Sequence, residues 1–584
     1  MKKRNPVLSA IAVVAMAGLL NACSTQRSAL PTLPLMPSAD VRITVDTTQP
    51  DAARETLYDM WQVANRISPI SGVSVRPGMK VNTVRMVGGI NKKVKGNKAK
   101  SKRIPDLDYD LAFFDENTHT YVYNFAPLTQ RINAIIKGGT PIHQLVLDQP
   151  PWAFQRGYTF IPDNQKDGVH FREKERVSIY GNSLPPSDLT AYGQFISALI
   201  QHLVDEYGEK TVASWRLRVG SEIETPDHWY GTEQEFIDYF ATTVTAIRAV
   251  LPQAKVGLHT RDPRFVYRNG TVTNYKNQKI SSFANAIIEY CHTHNIRYDF
   301  WGVSDYPILS LAHTRDPKQK FETLFSDLVN HPKWQKGTVI DLEEFSVVSF
   351  IKGSQLITSN TAQADSFMVA MTDTFLTHGV DQVFQWGQRE PKHELWRTQA
   401  LKNMAGKVRY HAHIQHAQVH QEQRQSVKHA EPAIGAIIAK SPQTQHIDAL
   451  LYHYSPKNIT ATHSNTAQTH ITVAQPAGTP YQYRHRIAGV KHHKFQNFMA
   501  QPQAQNGLKE GEIYTRYGNP HKVLNKAGLA KWANYTNPNP SKWSAWKQGV
   551  TLPNNKADST HQSVITFNSN LPVFSFEKVE IRWE

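Results

Sequence analysis

Between about residues 82 and 405 the apolar positions of this chain keep changing period. Short runs that alternate, or are apolar throughout, give way to stretches with an apolar residue every three or four positions. In Asn124–Gly139, Leu128, Ile132 and Ile135 fall on one helical face, and a Gly pair stops the segment. Helices are also expected over Pro185–Gly208, opened by a Ser/Asp cap, and over Phe236–Leu251, Ser281–His294, Gln319–Asn330 and Ala362–His378. The strands between them are Asn82–Val87, Ile142–Leu147, the stretch from Ala213 to Glu222, Lys255–His259, Tyr298–Val303, Gly337–Glu344 and Gln382–Gly387. Strand and helix alternating with short turns predict an α/β fold, a (β/α)8 TIM barrel. An open doubly wound sheet would carry a Gly-rich phosphate loop after its first strand, and Val84–Gly89 is too weak a match. The first barrel strand finds no place in this reading, because the segment around Tyr58–Trp61 reads as helix or loop.

After about residue 406 the pattern changes. Ala436–Ala439, Ala449–Tyr454, His470–Val473 and Val573–Ile581 are strand-like, and helical spacing nearly vanishes, which predicts a C-terminal β-sandwich. The expected divisions are 1–22, 23–40, a barrel over 41–405 and a sandwich over 406–584, with Val41–Asp46 an optional strand of the sandwich. At 584 residues two or three domains are expected.

Lys2, Lys3 and Arg4 precede an apolar run, Val7–Leu20, too short for a stable membrane span. The run ends in Leu20-Asn21-Ala22-Cys23, which resembles the lipobox of bacterial lipoproteins. That resemblance implies cleavage before Cys23, lipidation of its sulfur, and a mature protein tethered in the bacterial cell envelope by the Ser-, Pro- and Ala-rich residues 24–40. Cys291, the other cysteine, sits in an amphipathic helical pattern and reads as a small buried hydrophobe. With 65 basic and 49 acidic residues the formal charge is +16. For a secreted, tethered protein this suggests anionic lipid or an anionic substrate rather than nucleic acid. Part of it is concentrated in Asn91–Arg103, expected as a loop on the C-terminal side of a barrel strand. His411, His413, His416 and His420 lack acidic or Cys neighbours, so no metal site is expected.

Two carboxylates stand out. In Ala213–Thr232, Trp215, Leu217 and Val219 share one face, Arg216, Arg218, Gly220 and Glu222 the other, and Glu222 falls where the strand runs out. In Thr338–Phe345, Glu344 shares parity with Ile340 and Leu342, which are expected to fill the barrel and leave Glu344 over its mouth. Glu343 is the alternative. Two carboxylates at strand ends suit retaining glycoside hydrolysis, in which they stand about 5–5.5 Å apart and no cofactor is needed. Trp229, Tyr306 and Trp386 fall at strand ends, where their rings could stack on a sugar. With Arg85, Trp152, Ser221 and His228 they complete the set of candidate substrate contacts.

The segment from Trp215 to Trp229 resembles the W-x-F-E-V-W-N-E-P-N…F-W stretch of glycoside hydrolase family 39, a (β/α)8 family that includes β-xylosidases and α-L-iduronidases. Glu344-Phe345 resembles its T-E-F/W motif, and Asn124–Leu128, Tyr207-Gly208, Asp299-Phe300, Tyr306-Pro307 and Tyr483–Ala488 are further echoes. The resemblance implies that Glu222 is the acid/base, Glu344 the nucleophile and a polysaccharide or oligosaccharide the substrate. The chain departs from the motif at Ser221, where the family has Asn, at Gly220 for Trp and at Ile223 for Pro; Arg218 lies where Glu is frequent and Asp305 where His is common. Gly220 is expected to open space, and Arg218 with the basic run to favour a sulfated or uronic glycan. The alternative is a glycan-binding surface lipoprotein on a barrel that has lost catalysis.

Overall fold

The structure, a computed structural model, describes residues 40–583 apart from 50–60, 64, 68–81, 85–87, 94–102, 140–141, 156–159, 163–168, 172–174, 177–180, 226–227, 262–270, 274–278, 282, 308, 310–316, 353–357, 386–395, 417–432, 457–463, 517–518 and 555–560. The lipobox, the tether, Arg85 and Trp386 lie outside the described residues, as does the centre of the basic run.

The α/β half is built on one sheet of parallel strands. Asn82–Val84 pairs with Ile142–Leu147, which pairs with Arg216–Val219. Lys255–Thr260, Phe300–Asp305, Val339–Phe345 and Val380–Gln385 then follow in spatial order. The two edges of this sheet meet. Trp61–Val63 pairs with Val380–Gln385, and Asn65–Ile67 pairs with Asn82–Val84. Because these segments are one residue apart, the sheet curls back on itself as in a TIM barrel. Trp61–Ile67 is thus the stretch that the hydrophobic pattern fails to place, and Trp61 begins a strand rather than a helix or loop. Counting from it, Arg216–Val219 is strand four and Val339–Phe345 strand seven.

Helices follow the strands because their sequences carry both the apolar stripe and the stop signals. Asp188 caps Leu189–Tyr207 by accepting from the Ala191 amide at 2.9 Å. Thr232 and Glu235 form a reciprocal capping box at the start of Glu233–Val250. Both helices bury aromatic and branched residues against the outer faces of strands three and four.

The C-terminal half contains two sheets that share an apolar core. In one, Val41–Asp46 lies between Ala412–His416 and Ser464–Val473, parallel to the latter. In the other, Ala433–Lys440, Ile447–Tyr454, Ser575–Trp583 and Pro480–Ala488 are neighbours. Ile43, Ile471 and Ile565 from the first meet Ile438, Leu451 and Val579 from the second. The opposite face of the second sheet presents Leu450, Tyr452 and Phe576 to the barrel's own core. Between them lies Ala362–Thr377, buried nearly all round. Its Asp373 accepts from Tyr452 Oη at 2.8 Å and pairs with Arg409 at 2.9 Å.

Helical structure does not vanish here. Lys494–Met499, Pro502–Gln505, Pro520–Val523 and Lys526–Asn534 surround a small core of Phe495, Phe498, Val523 and Leu524. These helices are too short to establish a 3.6-residue period, so the hydrophobic pattern hides them. The same insertion sends Glu512–Arg516 to pair antiparallel with Val348–Lys352, which begins three residues after strand seven.

Candidate active site

The interior of the barrel is polar, and its contacts form layers from bottom to mouth. At the bottom, Arg216 of strand four reaches across to Asp341 of strand seven and Asp381 of strand eight. Above it, Arg218 pairs with Glu343 at 2.5 Å, with both side chains 2% exposed, and Gln144 Nε2 of strand three donates to the other Glu343 oxygen at 2.6 Å. Next come Ser221 and His259 Nδ1 at 3.4 Å, and His259 Nε2 with Ser304 Oγ at 2.9 Å. At the mouth Tyr306 Oη donates to Glu344, and His228 Nε2 lies 3.9 Å from Glu222.

This arrangement corrects the parity argument for strand seven. Ile340 and Leu342 do not fill the barrel; they belong to the apolar core, and Asp341 takes the inward position. Strict alternation would send Leu342 and Phe345 to opposite faces, yet Phe345 also faces the helices, with its ring edge-on to Phe375. The register explains it. Leu342 is opposite Val303 and Glu344 opposite Ser304, so Glu343 is an extra, bulged residue. Gly302 makes room for the bulge, since a Cβ there would lie 2.5 Å from Glu343 Cγ.

Glu222 is aimed by backbone rather than by strand pleat. Its φ is 44°, a left-handed conformation costing an L-residue roughly 1–2 kcal/mol. The turn is held by the Ile223 amide donating to His259 O at 3.2 Å and by the Thr225 amide donating to Glu222 O at 2.7 Å. Gly220, at φ 74°, does not open space: a Cβ there would meet Ile223 Cγ2 at 2.7 Å. Ile223 and Phe236 fill that volume. Nor does Arg218 offer its charge to a ligand, because Glu343 neutralises it within the barrel.

Two of the aromatic candidates are walls rather than platforms. Trp229 is buried against Phe236 and Tyr239, and its Nε1 donates to Thr232 O at 3.1 Å. Trp152 is buried with its Nε1 donating to Ile90 O at 2.9 Å. The loops after strands two and three are tightly woven there, with Asn182 donating to Gly89 O and Pro150 O at 2.6 Å each. Under them Asp110 accepts from the Gly89 and Trp152 amides at 2.5 and 2.8 Å, and burial pushes its carboxyl up to about 7 against those two bonds. Tyr306 and His228 remain at the mouth beside the two carboxylates, and Ser221 lies in the layer beneath. Sequence reasoning misses Gln144, His259, Ser304 and the Asp341–Arg216–Asp381 cluster. The parity of Arg216 with Arg218 is the available signal: two arginines on one strand face need acids opposite them. Among the described residues no group of three or more His, Cys, Asp or Glu could hold a metal ion.

The chain is similar to known glycosidases. Residues 169–321 match the family model described as Glycosyl hydrolases family 39, a stretch that contains Glu222 and Tyr306. An alpha-1,4-L-rhamnosidase from Formosa agariphila is 27% identical over 557 residues, covering 93% of this chain and 94% of its own. A beta-xylosidase from Caldicellulosiruptor saccharolyticus is 27% identical over 150 residues, 26% of each chain. The GH39 enzyme from Xanthomonas axonopodis pv. citri superposes with a TM-score of 0.55 at 14% identity, over 94% of this chain and 98% of that one. A monomeric beta-xylosidase from Caulobacter crescentus CB15 gives 0.56 at 12%, over 93% and 99%. At such identities the structural likeness speaks for the fold alone. The sequence matches make the chain a glycosidase, and the structural likeness gives it a TIM-barrel-like α/β domain. More particularly, the glycoside hydrolases that the chain is similar to are those of family 39.

Proposed function

We propose that the chain is a retaining glycosidase of the bacterial cell envelope that cleaves α-L-rhamnosyl linkages in a polysaccharide carrying anionic groups, or in its oligosaccharides. Glu344 attacks the anomeric carbon, and Glu222 protonates the leaving oxygen and then activates water for the second displacement. The observation that carries the reading is Tyr306 donating to Glu344 at the end of strand seven, with Glu222 at the end of strand four on the same rim. A phenol bonded to the ionised carboxylate favours the charged, nucleophilic form. The linkage is supported by the 27% identity to the rhamnosidase over nearly the whole chain. The anionic character is supported by the formal charge, +16 for the whole chain and +13 once Lys2, Lys3 and Arg4 leave with the leader, and by the basic run Asn91–Arg103, where Asn91–Lys93 pairs antiparallel with Arg103–Pro105 just beyond strand two. Anchoring through Cys23 rests on the Leu20–Cys23 motif.

Hydrolysis of aryl α-L-rhamnosides, with aryl β-xylosides in parallel, tests the linkage; turnover of the xyloside alone overturns it. Glu344→Gln is expected to lower kcat at least about 1,000-fold, as loss of a covalent nucleophile does. Glu344→Gly supplied with azide should regain turnover and release a glycosyl azide. A rate on anionic substrate that does not fall with added salt counts against the charge argument. Incorporation of labelled palmitate that survives Cys23→Ser counts against the anchor.

A further inference from the structure

We infer that Arg218 and Glu343 are a positioning pair for Glu344: they fix the bulge that turns it into the barrel mouth and cancel each other's charge directly beneath it. The inference rests on the reading of Glu344 as the nucleophile and goes beyond it, because neither Arg218 nor Glu343 touches the sugar. Three observations converge on the pair. Glu343 is the extra residue of the strand-seven bulge, so its anchoring decides which way the next side chain points. It is tied from two other strands at once, by Arg218 at 2.5 Å and Gln144 at 2.6 Å. Gly302 of strand six leaves room for the Glu343 stem that any larger residue would displace. Arg218 also lies 3.4 Å from Ser221, the residue before Glu222, so one guanidinium touches the supports of both carboxylates.

The charge argument follows from what surrounds each carboxylate. Glu344 faces Tyr306 from beyond strand six and has Ser304 as its register neighbour, and Glu222 with His228 share the mouth. Glu343 faces Arg218 and Gln144; His259 comes close at the Gly302 site, and His143 beneath feels both Arg216 and Glu343. Below that, Asp341 and Asp381 share the one guanidinium of Arg216. Glu343, the residue before Glu344 on strand seven, and Arg218, its partner on strand four, are therefore the charge-balanced pair directly beneath Glu344.

The test is the pH dependence of kcat/KM, whose acid limb reports ionisation of the nucleophile in the free enzyme. Glu343→Gln leaves Arg218 as an uncompensated cation beside Glu344, and the acid limb should move down by about one pH unit. Arg218→Met/Glu343→Gln removes both charges and should return the limb to its wild-type position. If Glu343→Gln does not fold, Arg218→Gln replaces it: the unpaired Glu343 then titrates beside Glu344, and the acid limb splits into two ionisations. A wild-type limb in whichever single variant folds overturns the inference, even if kcat has dropped, since a merely structural brace would not move it. Azide rescue of Glu344→Gly is read separately. If rescue succeeds and the limb stays put, the pair is wrong and the nucleophile stands; if Glu344→Gly keeps turnover without azide, the nucleophile assignment itself fails.

Discussion

The barrel and the sandwich solve the problem of an interior in opposite ways. Between the two C-terminal sheets lie Ile43, Ile438, Leu451, Ile471 and Ile565, apolar and shielded from water. Inside the ring of parallel strands lie Arg216, Asp341, Arg218, Glu343 and His259, joined by ion pairs and hydrogen bonds across the barrel and, Arg216 apart, just as buried. Apolar packing is non-directional and tolerates small shifts, whereas a charge-assisted bond fixes an angle as well as a distance. The half that carries Glu222 and Glu344 at its rim is the half built on directional contacts. Its apolar packing is displaced outward, to the seam between strands and helices.

The largest effect expected from this division is at the barrel floor. Arg216→Met strands Asp341, whose side chain is fully buried, and removing one partner of such a pair costs about 3–5 kcal/mol. Both the thermal midpoint and kcat should fall, and Arg216→Met/Asp341→Leu should recover much of the stability but not the rate. Recovery of both would mean that the floor is mere filling. In the sandwich, Ile471→Ala should cost about 2–5 kcal/mol through transfer and cavity effects. The kcat/KM of the folded fraction should not change. A barrel-like loss of rate in this variant would erase the distinction.

How far the sequence foretells this follows from which contacts are local. Strand–helix alternation is local, so the order of strands two to eight can be read from it. Trp61–Ile67 cannot, because Ala64-Asn65-Arg66 breaks the alternation that marks a strand. The inward-facing arginines are visible as a parity on strand four, while their partners on strands seven and eight are more than a hundred residues away. A bulge leaves no periodic trace at all, which is why alternation assigns Ile340 and Leu342 to the wrong face. Trp152 and Trp229 suggest a chemistry that their burial denies them. Aromatic rings at strand ends look the same in sequence whether they face a ligand or the loop above.

The smallest effects are ionisations, and the two regions respond to pH in opposite directions. At the barrel rim, burial holds Asp110 at about 7, well above the 3.8 of an ordinary Asp, so the native state binds this proton more tightly than the unfolded chain. The stability tied to it is complete below about pH 4 and drains away as pH rises towards 7, at ~1.4 kcal/mol for each pH unit crossed. In the helical insertion of the sandwich half, burial first and Arg397 second hold His493 at about 4, below the usual 6.5. Its Nδ1 accepts from the Gln496 amide at 3.2 Å, a cap that only the neutral ring can make, and its Nε2 lies 3.4 Å from Asp365. That contribution is complete above pH 6.5 and is lost as pH falls towards 4. Thermal midpoints measured from pH 4 to 8 should therefore diverge between variants. Asp110→Asn should lose less stability than the wild type on going from pH 5 to 7, and His493→Asn, which keeps a cap acceptor, should lose less on going from pH 6.5 to 4.5. If both variants track the wild type across the whole range, neither group is coupled to folding, and burial of a titratable side chain means no more in the barrel than in the sandwich.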